Sequence, residues 1–224
     1  MTATAATPVL TVRAISFSYP GRHVFTEWSA QFAPGLSWIR GSNGSGKSTL
    51  LKLLAGALPP LAGALQVREI DAAAQPLAYR REVFWCGPSA IPFDHLRPPE
   101  YFGFLRHLYP RFDAAALDAH VAGLGLGPFL SARLSELSTG TQRKVWLAAA
   151  LVAGSACVLM DEPLNALDSA SLHYVRGQLA ACAADPARAW IVASHETLGV
   201  AGEKAVRVDL DLASAAIQRT PSAP

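Results

Sequence analysis

The chain has 224 residues, 51% of them hydrophobic, with a formal net charge of +2 and no basic block. That length can bury one large core, and the charge gives no electrostatic case for nucleic acid as a partner. Cys86, Cys157 and Cys182 are scattered and odd in number, which argues against a disulfide framework or a zinc site and suits a reducing cytosol.

Residues 1–8 lack the basic start and apolar run of a secretory signal and read as a loose tail, as do residues 219–224. Residues 9–14 and 28–32 carry strand character, with Pro20-Gly21 and Pro34-Gly35 as turns, so an antiparallel β layer is expected at the start. Residues 36–39 are a short apolar run suited to a buried strand. Directly after it, Gly41-Ser42-Asn43-Gly44-Ser45-Gly46-Lys47-Ser48-Thr49 fits G-x-x-x-x-G-K-[ST] without a gap. Its three glycines let the backbone turn tightly and aim N–H groups inward, an anion nest at a helix start. Lys47 would reach the β- and γ-phosphates of a nucleotide, and the Ser48 hydroxyl would ligate Mg²⁺. Thr49 is expected to start the helix body, followed by Leu50, Leu51, Leu53, Leu54 and Ala57 at helical spacing. A Gly/Ser-rich run can also be a plain turn, but strand, loop and helix in this order select the nucleotide site.

Pro59-Pro60 stops the helix, and strands are expected over residues 64–67 and 83–86. From residue 98 to about 137 the pattern turns helical, with Tyr101, Phe104, Leu105 and Leu108 on one face and Asp113 capping a second helix through Leu117 and Val121. A further helix opens at Ser138. Residues 145–160 are the most membrane-like stretch, but Gly154-Ser155 interrupts it and Asp161-Glu162 ends it, so it splits into a helix and a strand over 156–160. Leu172, Val175 and Leu179 share a helix, residues 189–193 form a strand, and residues 206–210 close the sheet at an edge.

Asp161 and Glu162 follow an apolar strand and precede Pro163. With a phosphate loop upstream, Asp161 is suited to hold Mg²⁺ and Glu162 to polarise the water that attacks the γ-phosphate; the bland reading is a solvated strand end.

With these motifs in this order, the chain resembles the ATP-binding cassette ATPases, the nucleotide-binding subunits of ABC transporters, over nearly its whole length. Leu137-Ser138-Thr139-Gly140-Thr141 is similar to the LSGGQ signature, 164–168 to the D-loop, and His195 to the switch histidine. The resemblance implies an α/β fold: a P-loop NTPase core with a mostly parallel sheet, the antiparallel layer, and a helical subdomain at about residues 90–150 within one domain spanning 9–218. It implies that Tyr19 stacks on adenine, although a core or hairpin tyrosine is an open alternative. Ser138 and Gly140 would face the γ-phosphate of ATP held by a second protomer, so that ATP closes a dimer. Asp168 would sit at the dimer seam or cap the helix after it. His195 would sense the γ-phosphate or cap a strand end. The implied partners are a second cassette, most simply a homodimer, and an integral membrane permease at the cytoplasmic face of the inner or plasma membrane.

Length and spacing look most like the small export cassettes, including the haem-exporter type, and nothing after Leu212 leaves room for a regulatory domain. The family's glutamine after the strand at 83–86 is missing: the place reads Cys86-Gly87-Pro88-Ser89-Ala90, with Ser89 as the nearest oxygen. Thr139 and Thr141 also replace a glycine and a glutamine. Retained ATP binding and slow hydrolysis are expected, and an ATP-binding dimerising regulator with little turnover is the alternative. Soluble repair or translation cassettes and small-molecule kinases fit less well. The permease's coupling helix would dock near residues 90–102, with Phe93 and Phe102 at the contact and Phe104 and Leu105 inside.

Overall fold

Two long strands open the fold, β1 (Leu10–Tyr19) and β2 (Arg22–Phe32), paired antiparallel across the Pro20-Gly21 turn. Both run well beyond the expected 9–14 and 28–32. The register shifts between Val12 and Ile15, and Ala14 and Glu27 take positive φ (45° and 48°). Such bulges break the two-residue alternation without ending the pairing. The Ser29 hydroxyl accepts from the Ala14 N–H (2.8 Å) and the Ser16 hydroxyl from the Glu27 N–H (3.0 Å), keeping the bulged backbone satisfied. This computed structural model describes residues 7–87 and 93–211, so residues 1–6 and 219–224, read as tails, and Ser89 lie outside the described residues.

β3 (Gly35–Arg40) leads through the phosphate loop into α1 (Lys47–Leu54). The helix begins two residues before Thr49 and stops short of Ala57, where Gly56 turns the chain at φ 65°. β4 (Ala62–Val67), β5 (Ile70–Asp71), α2 (Pro76–Arg81) and β6 (Val83–Cys86) follow, then α3 (Pro98–Leu108), α4 (Ala114–Gly123) and α5 (Thr139–Val152). β7 (Cys157–Asp161), α6 (Ser169–Cys182), β8 (Ala189–Ala193), α7 (Val200–Lys204) and β9 (Val206–Asp209) complete the described order. The membrane-like stretch does split between α5 and β7. Among the described residues no helix is long and apolar enough to cross a membrane.

The strands form a four-stranded antiparallel sheet, β2-β1-β4-β5, and a five-stranded sheet, β6-β7-β8-β3-β9, whose neighbours are all parallel. β9 lies at an edge, as its sequence position suggested. Side chains alternate across the parallel sheet. Ile39, Leu159 and Ile191 face α1 and the antiparallel sheet, with Leu50, Leu51, Leu53 and Leu54 fully buried between them. Burial of each such leucine contributes about 1.5–3 kcal/mol relative to exposure. Val158, Met160, Trp190 and Val192 face the opposite cluster, which includes residues of α3, α5 and α6. Asp161 shares parity with Cys157 and Leu159, so it emerges on the α1 side.

Asp113 caps α4 as expected, its carboxylate accepting from the N–H groups of Ala115 and Ala116. The assignment of faces on α3 needs correction. Its buried residues are Pro98, Tyr101, Phe102 and Leu105, an i, i+3, i+4, i+7 stripe set by the start at Pro98. Phe102 is therefore core, whereas Phe104 and Leu108 are exposed, with the Phe104 ring tilted against the half-buried Phe93, centroids 4.9 Å apart.

Candidate active site

The phosphate loop lies at the C-terminal ends of the parallel strands, where open α/β sheets gather ligands. A cleft of about 290 Å³ opens there, walled by Asn43, Gly44, Gly46, Lys47, Ser48 and Thr49 on the loop side and by Asp161 and Glu162 opposite. Gly46 precedes the helix at φ 101°, and a Cβ there would press on Val24 and Phe25, so both conformation and space require glycine. Lys47 is 7% exposed, and its ammonium donates to the carbonyls of Gly41 (2.7 Å) and Ser42 (3.0 Å). The Ser45 hydroxyl is buried in the loop without a partner. Tyr19 lines the cleft too. Its ring is partly exposed, edge-on to Phe17, and its hydroxyl lies 3.5 Å from Thr49 Oγ1, so it is a cleft residue rather than a core one.

Asp161 ends β7 with 1% of its surface exposed. Burial pushes its carboxyl above the usual carboxylate range, the bond from the Ser48 hydroxyl pulls it back, and the neighbouring Glu162 charge pushes it up again. Its Oδ2 has no hydrogen-bond partner. Glu162 sits one residue on, at φ 48°, a left-handed conformation that costs a non-glycine residue about 1–2 kcal/mol. The turn aims its carboxylate at the end of β8. There it accepts from Ser194 Oγ (3.1 Å), the His195 N–H (3.1 Å) and, in an ion-pair geometry, His195 Nδ1 (2.7 Å). His195 is exposed and meets Glu162 rather than the phosphate loop.

The signature segment is assembled apart from the cleft. Ser138 caps α5 by accepting from the Thr141 N–H (3.2 Å), and Thr141 Oγ1 lies 2.9 Å from the same hydroxyl, so the threonine that departs from LSGGQ completes the cap. Ser138 is exposed and Gly140 half-buried. A Cβ on Gly140 would overlap the Ala166 carbonyl, fixing the signature turn against residues 164–168. Asp168 caps α6, accepting from the Ser171 N–H (2.9 Å) and Oγ (3.0 Å), and pairs with Lys144 of α5. The Lys144 hydrogen bond, then the Ser171 donors, hold its carboxyl well below the usual range. Among the described residues, Ser138, Gly140, Asp168 and His195 do not line the cleft of their own chain.

Several further residues, not assigned a role from the sequence, shape the site. Arg22 lines the cleft beside Tyr19. Asp211, just past β9, accepts from the Ser42 N–H (2.8 Å) and Oγ (2.9 Å) and staples the loop to the sheet edge. Ser194 reaches Glu162, and buried Arg143 donates to the Asp161 carbonyl (3.0 Å). Arg143 and Lys144 adjoin the signature, so their proximity to a motif was the available hint; Arg22 opens β2 and Asp211 follows β9, and only the fold brings them here.

Comparison with known proteins agrees with this geometry. Residues 29–165 match the family described as ABC transporter. The chain is 34% identical over 176 residues to the cytochrome c biogenesis ATP-binding export protein CcmA of Pseudomonas savastanoi pv. phaseolicola (strain 1448A / Race 6), covering 78% of this chain and 83% of that one. It is 38% identical over 140 residues to the zinc transport system ATP-binding protein TroB of Treponema pallidum (strain Nichols), covering 59% and 52%. The solved structure of an ATP-binding subunit of an ABC transporter superposes with a TM-score of 0.80 at 21% identity, over 96% of this chain and 95% of that one, a likeness of fold. The chain thus belongs to the ABC transporter family as an ATP-binding subunit, one of a group of ATPases that couple hydrolysis to transport.

Proposed function

We propose that the subunit binds ATP in the cleft under Tyr19 and hydrolyses it while paired with a second copy. In this reading it works at the cytoplasmic face of the inner or plasma membrane, driving a separate permease of the export kind. The export assignment follows CcmA, which covers most of both chains, whereas TroB matches over little more than half of each. Residues 9–218 act as one domain, and the helices at about residues 90–150 offer the permease an apolar patch made of Phe93 and the exposed Phe104, which touch each other.

The observation that carries this reading is the division of the site. Phosphate-binding groups line one cleft, while the exposed cap of α5 and Gly140 stand outside it, suited to the γ-phosphate of a facing copy. Within the cleft, Lys47 and the loop N–H groups bind the phosphates. Asp161 Oδ2, buried and unpartnered beside the Ser48 hydroxyl, fits a hard divalent cation. Ser48 and Asp161 would hold Mg²⁺, which would supply neutralisation of phosphate charge. Glu162 takes up the proton of the attacking water, and His195, paired with it, orients that carboxylate and senses the γ-phosphate. Glu162 already accepts three donors, and Gly87 stands near the place of the missing glutamine; both favour slow turnover.

Glu162→Gln tests the reading. With ATP present the variant is expected to lose turnover and elute as a dimer in size-exclusion chromatography. If parent and variant dimerise alike and neither hydrolyses ATP, the regulator reading replaces the motor; if the variant binds ATP as a monomer, both fail.

A further inference from the structure

Arg22 is the first residue of β2 and exposed at the hairpin turn. Its guanidinium nevertheless crosses to the phosphate loop, where Nη2 donates to the Gly44 carbonyl at 2.5 Å. It also forms part of the cleft wall, between Tyr19 and the loop. Among the described residues that line this cleft, the cations are Arg22 and Lys47, facing the acids Asp161 and Glu162. They are differently placed. The Lys47 ammonium is buried and spends two of its three donors on loop carbonyls, whereas a guanidinium bonded once to Gly44 keeps most of its five N–H donors.

We infer that Arg22 is a nucleotide ligand, contacting the α- and β-phosphates from the hairpin side while remaining tied to Gly44. Its place along the cleft selects those phosphates. Arg22 pairs with Tyr19 across the hairpin, with two residues between them, which sets it beside the ring on the base side, and its tether at Gly44 lies on the phosphate loop itself. A planar, permanently charged fork suits a pair of phosphate oxygens, and the bond to Gly44 holds it ready without an ordering cost at binding. The inference rests on the cleft being the nucleotide site.

Calorimetric titration of the full chain with ADP, ATP and adenosine, without added metal, tests it. Arg22→Ala and Arg22→Gln should each weaken ADP and ATP by a similar factor, about tenfold, the loss of one charge-assisted contact. Arg22→Lys should lose less, and adenosine binding should not change. The Gln side chain can still donate to Gly44, so it separates charge from tether. Parent-like ADP affinity in Arg22→Gln would show that Arg22 only ties the hairpin to the loop. Equal weakening of adenosine would show that it acts through Tyr19, and a loss confined to ATP would move the contact to the γ-phosphate; each of these overturns the inference. Lys47→Ala run in parallel separates the two levels: if it binds ADP as the parent does, the cleft itself is misassigned and Arg22 falls with it.

Discussion

The phosphate loop and the signature segment are both loops that open into a helix N-terminus, yet they are built in opposite ways. The phosphate-loop half leaves polar groups waiting: Asp161 Oδ2, on the wall of the open cleft, and the Ser45 hydroxyl, within the loop, are buried without partners. The signature segment is satisfied from within. Ser138 is bonded to Thr141, Gly140 is seated against Ala166, and Asp168 is held by Ser171 and Lys144, while Ser138 keeps an exposed face. A buried polar group without a partner is costly and calls for an explanation, and at Asp161 the open cleft leaves room for one in a bound ligand. An internally completed, exposed cap needs nothing from its own chain and suits contact with another body. The two halves of the proposed site thus differ in what they lack, and that difference is what a composite pocket requires.

The sharpest way to break the comparison is at the open half. Lys47→Ala removes the cation assigned to the transferred phosphate and is expected to lower turnover by about 10²–10³ or more, read by phosphate release. A fall of less than tenfold would mean that the unsatisfied half is not where the chemistry occurs. At the closed half, Gly140→Ala forces a methyl group into the Ala166 carbonyl and should destabilise the fold by about 1–3 kcal/mol, measured by urea unfolding. An unchanged midpoint would mean that the signature turn is not clamped. The smallest effect concerns Asp168. A carboxyl held below its unfolded value lends stability above that value and loses it as pH falls through the folded one. Asp168→Asn should therefore melt below the parent at pH 7, with the gap closing below about pH 4, and a gap that widens in acid contradicts the assigned partners.

The open half was the more legible in sequence, because its chemistry is local. Nine consecutive residues carry the loop, and the alternation through β7 carries Asp161 to the α1 side. The closed half was readable as a motif but not as a structure. Asp168 could cap α6 or sit at a seam, and the cap and Lys144 pair became visible only once α5 and α6 were packed. Bulges hid the length of β1 and β2, since Ala14 and Glu27 interrupt alternation while Ser29 and Ser16 rescue the backbone. The face that α3 buries differs from the one its apolar spacing suggests, because its phase is set from Pro98, which buries Phe102 and leaves Phe104 out. Arg22 and Asp211 bracket the loop from residues far from it in sequence or outside any motif, so nothing short of the fold could find them.

Complementation between two inactive subunits tests the composite pocket most directly. Lys47→Ala removes one half of the site and Ser138→Arg the other, and each protein alone should be inactive in ATP hydrolysis. Mixed, they form a heterodimer in which one pocket carries both defects and the other neither, so the account predicts that turnover reappears on mixing. If the mixture stays as inactive as its components while the two proteins demonstrably associate, phosphate loop and signature do not meet across two chains, and the account is wrong.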